Sequence, residues 1–407
     1  MTTYISIAWQ NLLRNRRRTL STLAAISIGV AMVVFTNGFT NGISANMSNS
    51  IINQIDGHLR IEHKDHKKFF ITDQEKILID DYRPLAAKIM SMPHVQAVMP
   101  RIMLGGLIGA GDKSSTFFGT ASDLAMLPKV LPDYGINLRS GQLLSSQDPN
   151  GILLGEALAN SLKVKVGDEL VVLSKTVHGD QSNTLVHVRG TVTFPTDYVV
   201  EQSLFMSGLD KGIADNLLDL GNGATQLLVR VDDTANVEQT AAALEHYFTE
   251  NKLPWHVTPW FENPAFNRIV GVFNGIGALV MFLLIMMVGI ITSNALLMTF
   301  FERMREIGTL RAIGMNRLQV SLLLYIESAM IGATGATGGL LLGMLMVGLA
   351  RLTGIPLGLI GQSILPVLKA SSLLLSTLVP VMFIMIAAAI PIRATNRMSV
   401  IDSLNYQ

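Results

Sequence analysis

Cysteine is absent from all 407 residues, which excludes disulfides and thiolate metal ligands and leaves the redox compartment open. Charge is scarce as well. Asp, Glu, Lys and Arg make up 15% of the chain, against about 25% in soluble domains. No G-x-x-x-x-G-K-[ST] phosphate loop occurs, so the chain carries no nucleotide site of that kind. Neither G-x-S-x-G nor S-x-x-K is present as a nucleophile context, and no Asp, Glu or His grouping makes a general acid–base pair. An enzyme active site is therefore not expected. The net charge of +1 gives no field for a polyanion, and the basic residues gather at the edges of apolar runs, so no nucleic acid partner is expected.

Apolar residues fill that space. They are 49% of the chain and the mean hydropathy is +0.41, values of a protein that lies partly in a bilayer. Four runs are long enough to cross one, a crossing taking about 20 residues. They cover 19–39, 270–300, 318–350 and 372–392. Residues 1–18 contain no acid and end in Arg14, Arg16, Arg17 and Arg18, while Ile5, Trp9, Leu12 and Leu13 share one helical face. The segment reads as an interfacial helix on the cytoplasmic side, followed by an uncleaved first span. Alternation then puts 40–268 outside, and the absence of Lys and Arg from 40–54 agrees. Arg393 and Arg397 close the last run on the inside, with 351–371 as an outer loop and 393–407 as a cytoplasmic tail. Termini inside and a multi-pass course through a bacterial inner membrane are the expectation.

The outer segment reads as α+β. Strands are expected at 58–63, 95–109, 115–119, 170–174, 185–194 and 225–231, with helices at 84–92 and 236–250. GILLGEALANSLKVKVGDELVV, from Gly151, reads strand, helix, turn and strand. His58, His63 and His66 in GHLRIEHKDHKKFF invite a metal reading. Their spacing of five and three on a strand, crowded by Lys64, Lys67 and Lys68, fits a solvated strand end better. No metal site is expected. The second apolar run is longer than a bilayer demands, about 45 Å at 1.5 Å per residue, and so tilts or projects beyond it. The third holds Gly335, Gly339 and Gly343 at four-residue spacing, a stripe that permits close helix approach within the chain or between two copies. Glu327 is the acid deep in that run. Intramembrane ionisable groups are costly and point to function or to a buried pair, here with Arg311 or Arg393 as expected partners.

Between the second and third runs lies ERMREIGTLRAIGMNRLQV, residues 302–320, with Arg303, Arg305, Arg311 and Arg317 against Glu302 and Glu306. A short basic loop belongs in the cytoplasm, and Ile307, Leu310 and Ile313 recur at helical spacing, so an amphipathic helix at 302–317 is expected. On REIGTLRAIGM, the opening AWQNLLRNRRRTL, the closing PIRATNRMSVIDSLNY and GEALANSLKVKVGDELVV, the chain resembles the MacB/FtsX-like permeases of ABC transporters. Its length, four-span layout and separate ATPase are closest to the lipoprotein-releasing members LolC and LolE. The resemblance implies that the 302–317 helix seats on an ATPase pair, with Arg303, Arg305, Glu306, Gly308, Leu310, Arg311 and Gly314 as coupling residues. ATP and Mg would be bound by that partner, with no cofactor in this chain. It also implies a second permease, identical or paralogous, alongside membrane lipids.

The substrate implied is a lipoprotein or another amphiphile, entering sideways past Phe266, Ile269, Phe273 and Ile276. An FtsX-like relay to periplasmic hydrolases and a MacB-like efflux role stand as alternatives. Lipoprotein-releasing members use a protruding hairpin to reach a soluble carrier. The corresponding KTVHGDQSNT, residues 175–184, lacks the proline and aromatics of a docking tip, so carrier docking there is not expected.

Overall fold

The computed structural model describes residues 16–69, 73–135, 138–193, 204–208, 217–356 and 363–397. The expected interfacial segment therefore lies outside the described residues except at its end, as do the last ten residues of the tail. Two compact units divide the chain: a helical unit (1–46, 269–356 and 363–407) and an α+β unit (47–268 and 357–362). Four long apolar helices with a large α+β periplasmic domain between the first and second make up the fold.

The helical unit is built from α1 (Arg16–Ser50), α5 (Pro264–Glu302), the short α6 (Met304–Ala312), α7 (Arg317–Thr353) and α8 (Ala370–Arg397). Each long helix outruns its apolar stretch. At 39 residues α5 is about 58 Å long, well beyond a bilayer's ~30 Å hydrocarbon core. Helix α1 likewise runs eleven residues past the expected end of its span, because Ile43, Met47 and Ile51 fall four apart and are all buried. Backbone hydrogen bonding makes these segments helical in lipid, where no water can satisfy a free N–H or C=O. A core of Ile26, Val30, Val34, Val288, Leu296, Phe300, Leu324, Ile331, Ile384 and Ala388 joins the four.

The glycine stripe of α7 is used inside the chain. A Cβ at Gly335 would meet Ile26, one at Gly339 would lie 2.6 Å from Val30 Cβ and from the Ser27 carbonyl, and one at Gly343 would meet Val34. Ser27 Oγ donates to the Gly335 carbonyl at 2.9 Å. Helix α1 thus fills the groove, which settles the choice left open by the spacing in favour of intramolecular packing. Asn37 Nδ2 and Asn41 Nδ2 donate to Ser376 and Ser372 Oγ at 2.5 and 3.0 Å, pinning α1 to α8 as well.

Among the described residues the α+β unit holds one ten-stranded sheet. Its strands are β1 (Leu59–His63), β2 (Val95–Ala110), β3 (Lys113–Ser122), β4 (Leu138–Gly141), β5 (Gly151–Gly155), β6 (Glu169–Lys175), β7 (Gln181–Val192), β8 (Leu204–Gly208), β9 (Gln226–Val231) and β10 (Trp255–Pro259). The 16-residue β2 serves two halves. Its first part pairs with β9, and its second with β3 and β6. Around the first part, Leu59, Ile61, Leu227, Val229, Leu244 and Phe248 form one core beneath α2 (Tyr82–Met90) and α4 (Val237–Glu250). Around the second, Ile108, Phe117, Leu154, Leu158, Val172 and Val186 form another beneath α3 (Glu156–Leu162). The β2–β3 and β6–β7 turns place Gly111 and Gly179 at φ +60° and +96°, where L side chains are strained. At the β6–β7 turn His178, Gly179 and Asp180 are exposed, while Val177 is buried and its N–H bonds the Leu218 carbonyl.

Two of the three histidines depart from the solvated strand end expected of them, while His63 is half-buried beside the exposed Lys64 and Asp65. His58 and His66 are buried. His58 Nδ1 accepts from the Val231 N–H at 3.2 Å, and His66 contacts Gln226 and Glu62. Burial pushes the His58 pKa down to about 4. Among the described residues no cluster of His, Asp and Glu could hold a metal.

Candidate functional site

Helix α5 ends at Glu302, and α6 begins two residues later. Arg303 sits in the break with non-helical angles (φ −100°, ψ 11°), which turns its side chain inward. Its Nη1 donates to both oxygens of Glu327 at 2.7 and 3.0 Å, and its Nε donates to Glu306 at 3.1 Å. Arg303 and Glu327 are both buried, so the end of α5, the first turn of α6 and about the third turn of α7 meet at one guanidinium. Because Nη1 and Nε bond two different carboxylates, the guanidinium is fixed in orientation as well as in distance. This corrects the expectation of Arg311 or Arg393 as partner. Arg311 is half-buried on α6 and Arg393 is exposed on α8.

Helix α6 presses Met304, Ile307 and Gly308 inward. Gly308 is buried on that face, and a proline there would break a nine-residue helix. On the other side Arg305 is exposed, with no ion pair among the described residues, and Leu310 is half-buried. The helix ends where the Met315 N–H bonds the Leu310 carbonyl and Gly314 takes φ +114°. Asn316 and Gln319 then form a reciprocal capping box that starts α7.

That tight reversal pushes two apolar side chains into the open. Ile313 and Leu318 are each 80% exposed, flanking Gly314 and close in sequence to Arg311 and Arg317. Ile313 was expected on the apolar face of the amphipathic helix, with Ile307 and Leu310. It lies outward because the helix stops at Ala312 and the chain turns before its side chain can swing in. Leu318 carried no signal of its own in the sequence, where it reads as the first residue of a span. Exposed apolar and cationic side chains, Arg305 among them, are thus present on both sides of this reversal.

The four residues expected along a lateral path separate. Phe266 is buried, with its ring 5.2 Å from that of Trp260, and is a packing residue rather than an open contact. Ile269 and Phe273 are half-buried, and Ile276 is 54% exposed. A Cβ at Gly271 or Gly275 would meet nothing within 4 Å, so α5 is also open on the face away from Ile269, Phe273 and Ile276.

Comparison with known proteins places these features. Residues 19–247 match the MacB-like periplasmic core domain, and residues 278–400 match the FtsX-like permease C-terminal region. An uncharacterized ABC transporter permease of Methanocaldococcus jannaschii, MJ1507, is 23% identical over 359 residues, covering 84% of this chain and 83% of that one. Among solved structures, the periplasmic region of MacB from Actinobacillus actinomycetemcomitans is 14% identical with a TM-score of 0.34, over 53% of this chain and 94% of that one. The extracellular domain of the noncanonic ABC-type transporter YknZ from Gram-positive bacteria is 8% identical with a TM-score of 0.32, over 49% and 98%.

Proposed function

The chain belongs to the MacB/FtsX-like ABC transporter permease family, and from that premise we propose a mechanical role for it. It is a non-catalytic, multi-pass membrane subunit with an extracytoplasmic domain, and a permease of this kind implies an ATPase partner. The ATPase seats on the tip formed by α6, Ile313, Gly314 and Leu318, with Arg305 and Arg311 supplying charge. ATP-driven closure of the ATPase pair displaces α6, and the Arg303–Glu327 pair makes α5 and α7 follow as one body. The observation that carries this reading is that buried pair: an ion pair in a helical bundle is a costly way to stabilise it but an effective way to fix one geometry.

The substrate is a lipoprotein or another amphiphile leaving the bilayer sideways between two permeases, past Ile269, Phe273 and Ile276, which share one face of α5. Support comes from Ile276, an apolar side chain 54% exposed near the outer end of α5. The chain resides in a cytoplasmic membrane with both termini on the ATPase side. Mild affinity purification from the native membrane, with mass spectrometry of retained lipids and acylated peptides, tests the substrate. Enrichment of acylated species by the wild type, and its loss in Ile276→Arg, is the expected result. Retention of hydrolases or a periplasmic adaptor without acylated cargo would instead favour a signalling or efflux role.

A further inference from the structure

Within the α+β unit, the outer ends of the helices that carry the first and second spans meet one buried carboxylate. Helix α1 gives way at Ser50 to a π-turn, Ile51–Ile55, closed by the Asp56 N–H on the Ile51 carbonyl at 2.8 Å. Such turns are rare and concentrate at functional sites. Asp56 Oδ2 accepts from Asn263 Nδ2 at 2.6 Å and from Arg60 Nη1 at 2.8 Å, and Oδ1 accepts from Arg101 Nη2 at 2.7 Å. Asn263 in turn caps α5, its Oδ1 accepting from the Phe266 N–H at 3.3 Å. Arg101 of β2 also donates to the Ile55 carbonyl at 2.6 Å and to Gln226 of β9 at 2.9 Å. Gln226 passes the chain on to Glu62 of β1 at 2.9 Å. The π-turn is held a second time by Arg230 of β9, whose Nη1 donates to Asn53 Oδ1 at 2.8 Å.

Asp56, Glu62, Arg101 and Gln226 are all buried. Two carboxylates face two guanidiniums, so the cluster is neutral, and burial of Asp56 is outweighed by Arg101 and Arg60, which hold its carboxyl below the usual range. Apolar side chains would stabilise the same volume about as well, because desolvating four charges costs nearly what pairing them returns. What the cluster supplies is directional: helix end, helix start and three strands are held in one register by bonds that do not slide.

We infer that Asp56, Arg101 and Asn263 form the joint through which movement of α1 and α5 reaches the sheet of the extracytoplasmic domain. The inference rests on the mechanical role proposed above. All three are positioning residues, and none needs to touch a substrate. Asn263 is the narrowest point, since its side chain ties Asp56 to the first turn of α5.

The test is hydrogen exchange by mass spectrometry on the full permease–ATPase complex, with ADP and with a non-hydrolysable ATP analogue. In the wild type, protection is expected to change with nucleotide both in α6 and in β1 and β9. In Asn263→Ala the change in α6 persists and the change in β1 and β9 falls at least threefold, while α4 stays as protected as in the wild type. Arg101→Lys, which keeps the charge but cannot reach Asp56, Ile55 and Gln226 together, gives the same split and serves if the first variant folds poorly. A full nucleotide response of β1 and β9 in either well-folded variant overturns the joint, as does a wild type whose α6 responds while its sheet does not. A wild type with no response in α6 overturns the coupling role itself.

Discussion

One nitrogen of the Arg303 guanidinium, Nη1, donates to both carboxylate oxygens of Glu327, 24 positions away in sequence, at 2.7 and 3.0 Å. The tight turn at Gly314 is what brings them together, since it folds α6 back between the end of α5 and the start of α7. The pair is therefore both a product of the loop's geometry and the restraint that keeps it.

Breaking such a pair by removing one partner costs about 3–5 kcal/mol, because the other charge stays buried. Glu327→Gln is expected to lower ATPase activity in the assembled complex several-fold while membrane abundance falls less. A double change, Arg303→Met with Glu327→Leu, is expected to recover abundance and not coupling. Quantitative blotting beside ATPase assays of the purified complex separates the two. Equal recovery of both would reduce the pair to packing.

The packing of α1 against α7 gives a second outcome. Gly339→Leu places side-chain atoms where Val30 and the Ser27 carbonyl already lie, and overpacking of this kind costs about 1–3 kcal/mol or more. Gly348→Leu, nine residues on in the same helix, meets open space and is expected to be silent. Thermal unfolding of the two variants in one detergent checks the contrast.

Acid sensitivity of the outer domain follows from His58. Its folded pKa of about 4 lies below the ordinary 6.5, so between those values the unfolded chain binds the extra proton. Stability is complete above about pH 6.5 and is lost as pH falls toward 4, by at most about 3 kcal/mol. Asp56 works lower: its depressed pKa keeps its contribution above the unfolded carboxylate value near 3.8 and loses it only in stronger acid. His58→Gln is expected to flatten the dependence between pH 6.5 and 4, read by hydrogen exchange in β1 and β9.

Composition made the four helices legible, because about 20 apolar residues in a row have few other fates. The basic loop was legible from its charge, and the α+β domain from its turn residues and alternation. The extension of α1 was not, since Thr40, Asn41, Asn46 and Ser48 read as an exit from the membrane and only burial at every fourth position keeps that segment helical. Arg303 was counted with the loop and not paired, because spacing along a chain says nothing about which arginine a tight turn aims inward. The Asp56 cluster was invisible for the same reason. Its members lie at 56, 101, 226 and 263, each an ordinary polar residue until the sheet brings them together.

The most direct test of the coupling account is mild affinity purification of the tagged chain from its native membrane, beside Arg305→Glu, Gly308→Pro and Leu318→Ser variants. The wild type is expected to retain an ABC ATPase, and the variants to insert normally but lose it at least tenfold. An ATPase retained equally by all four would show that the α6 tip is not the seat, and a wild type retaining none would contradict the account at its root.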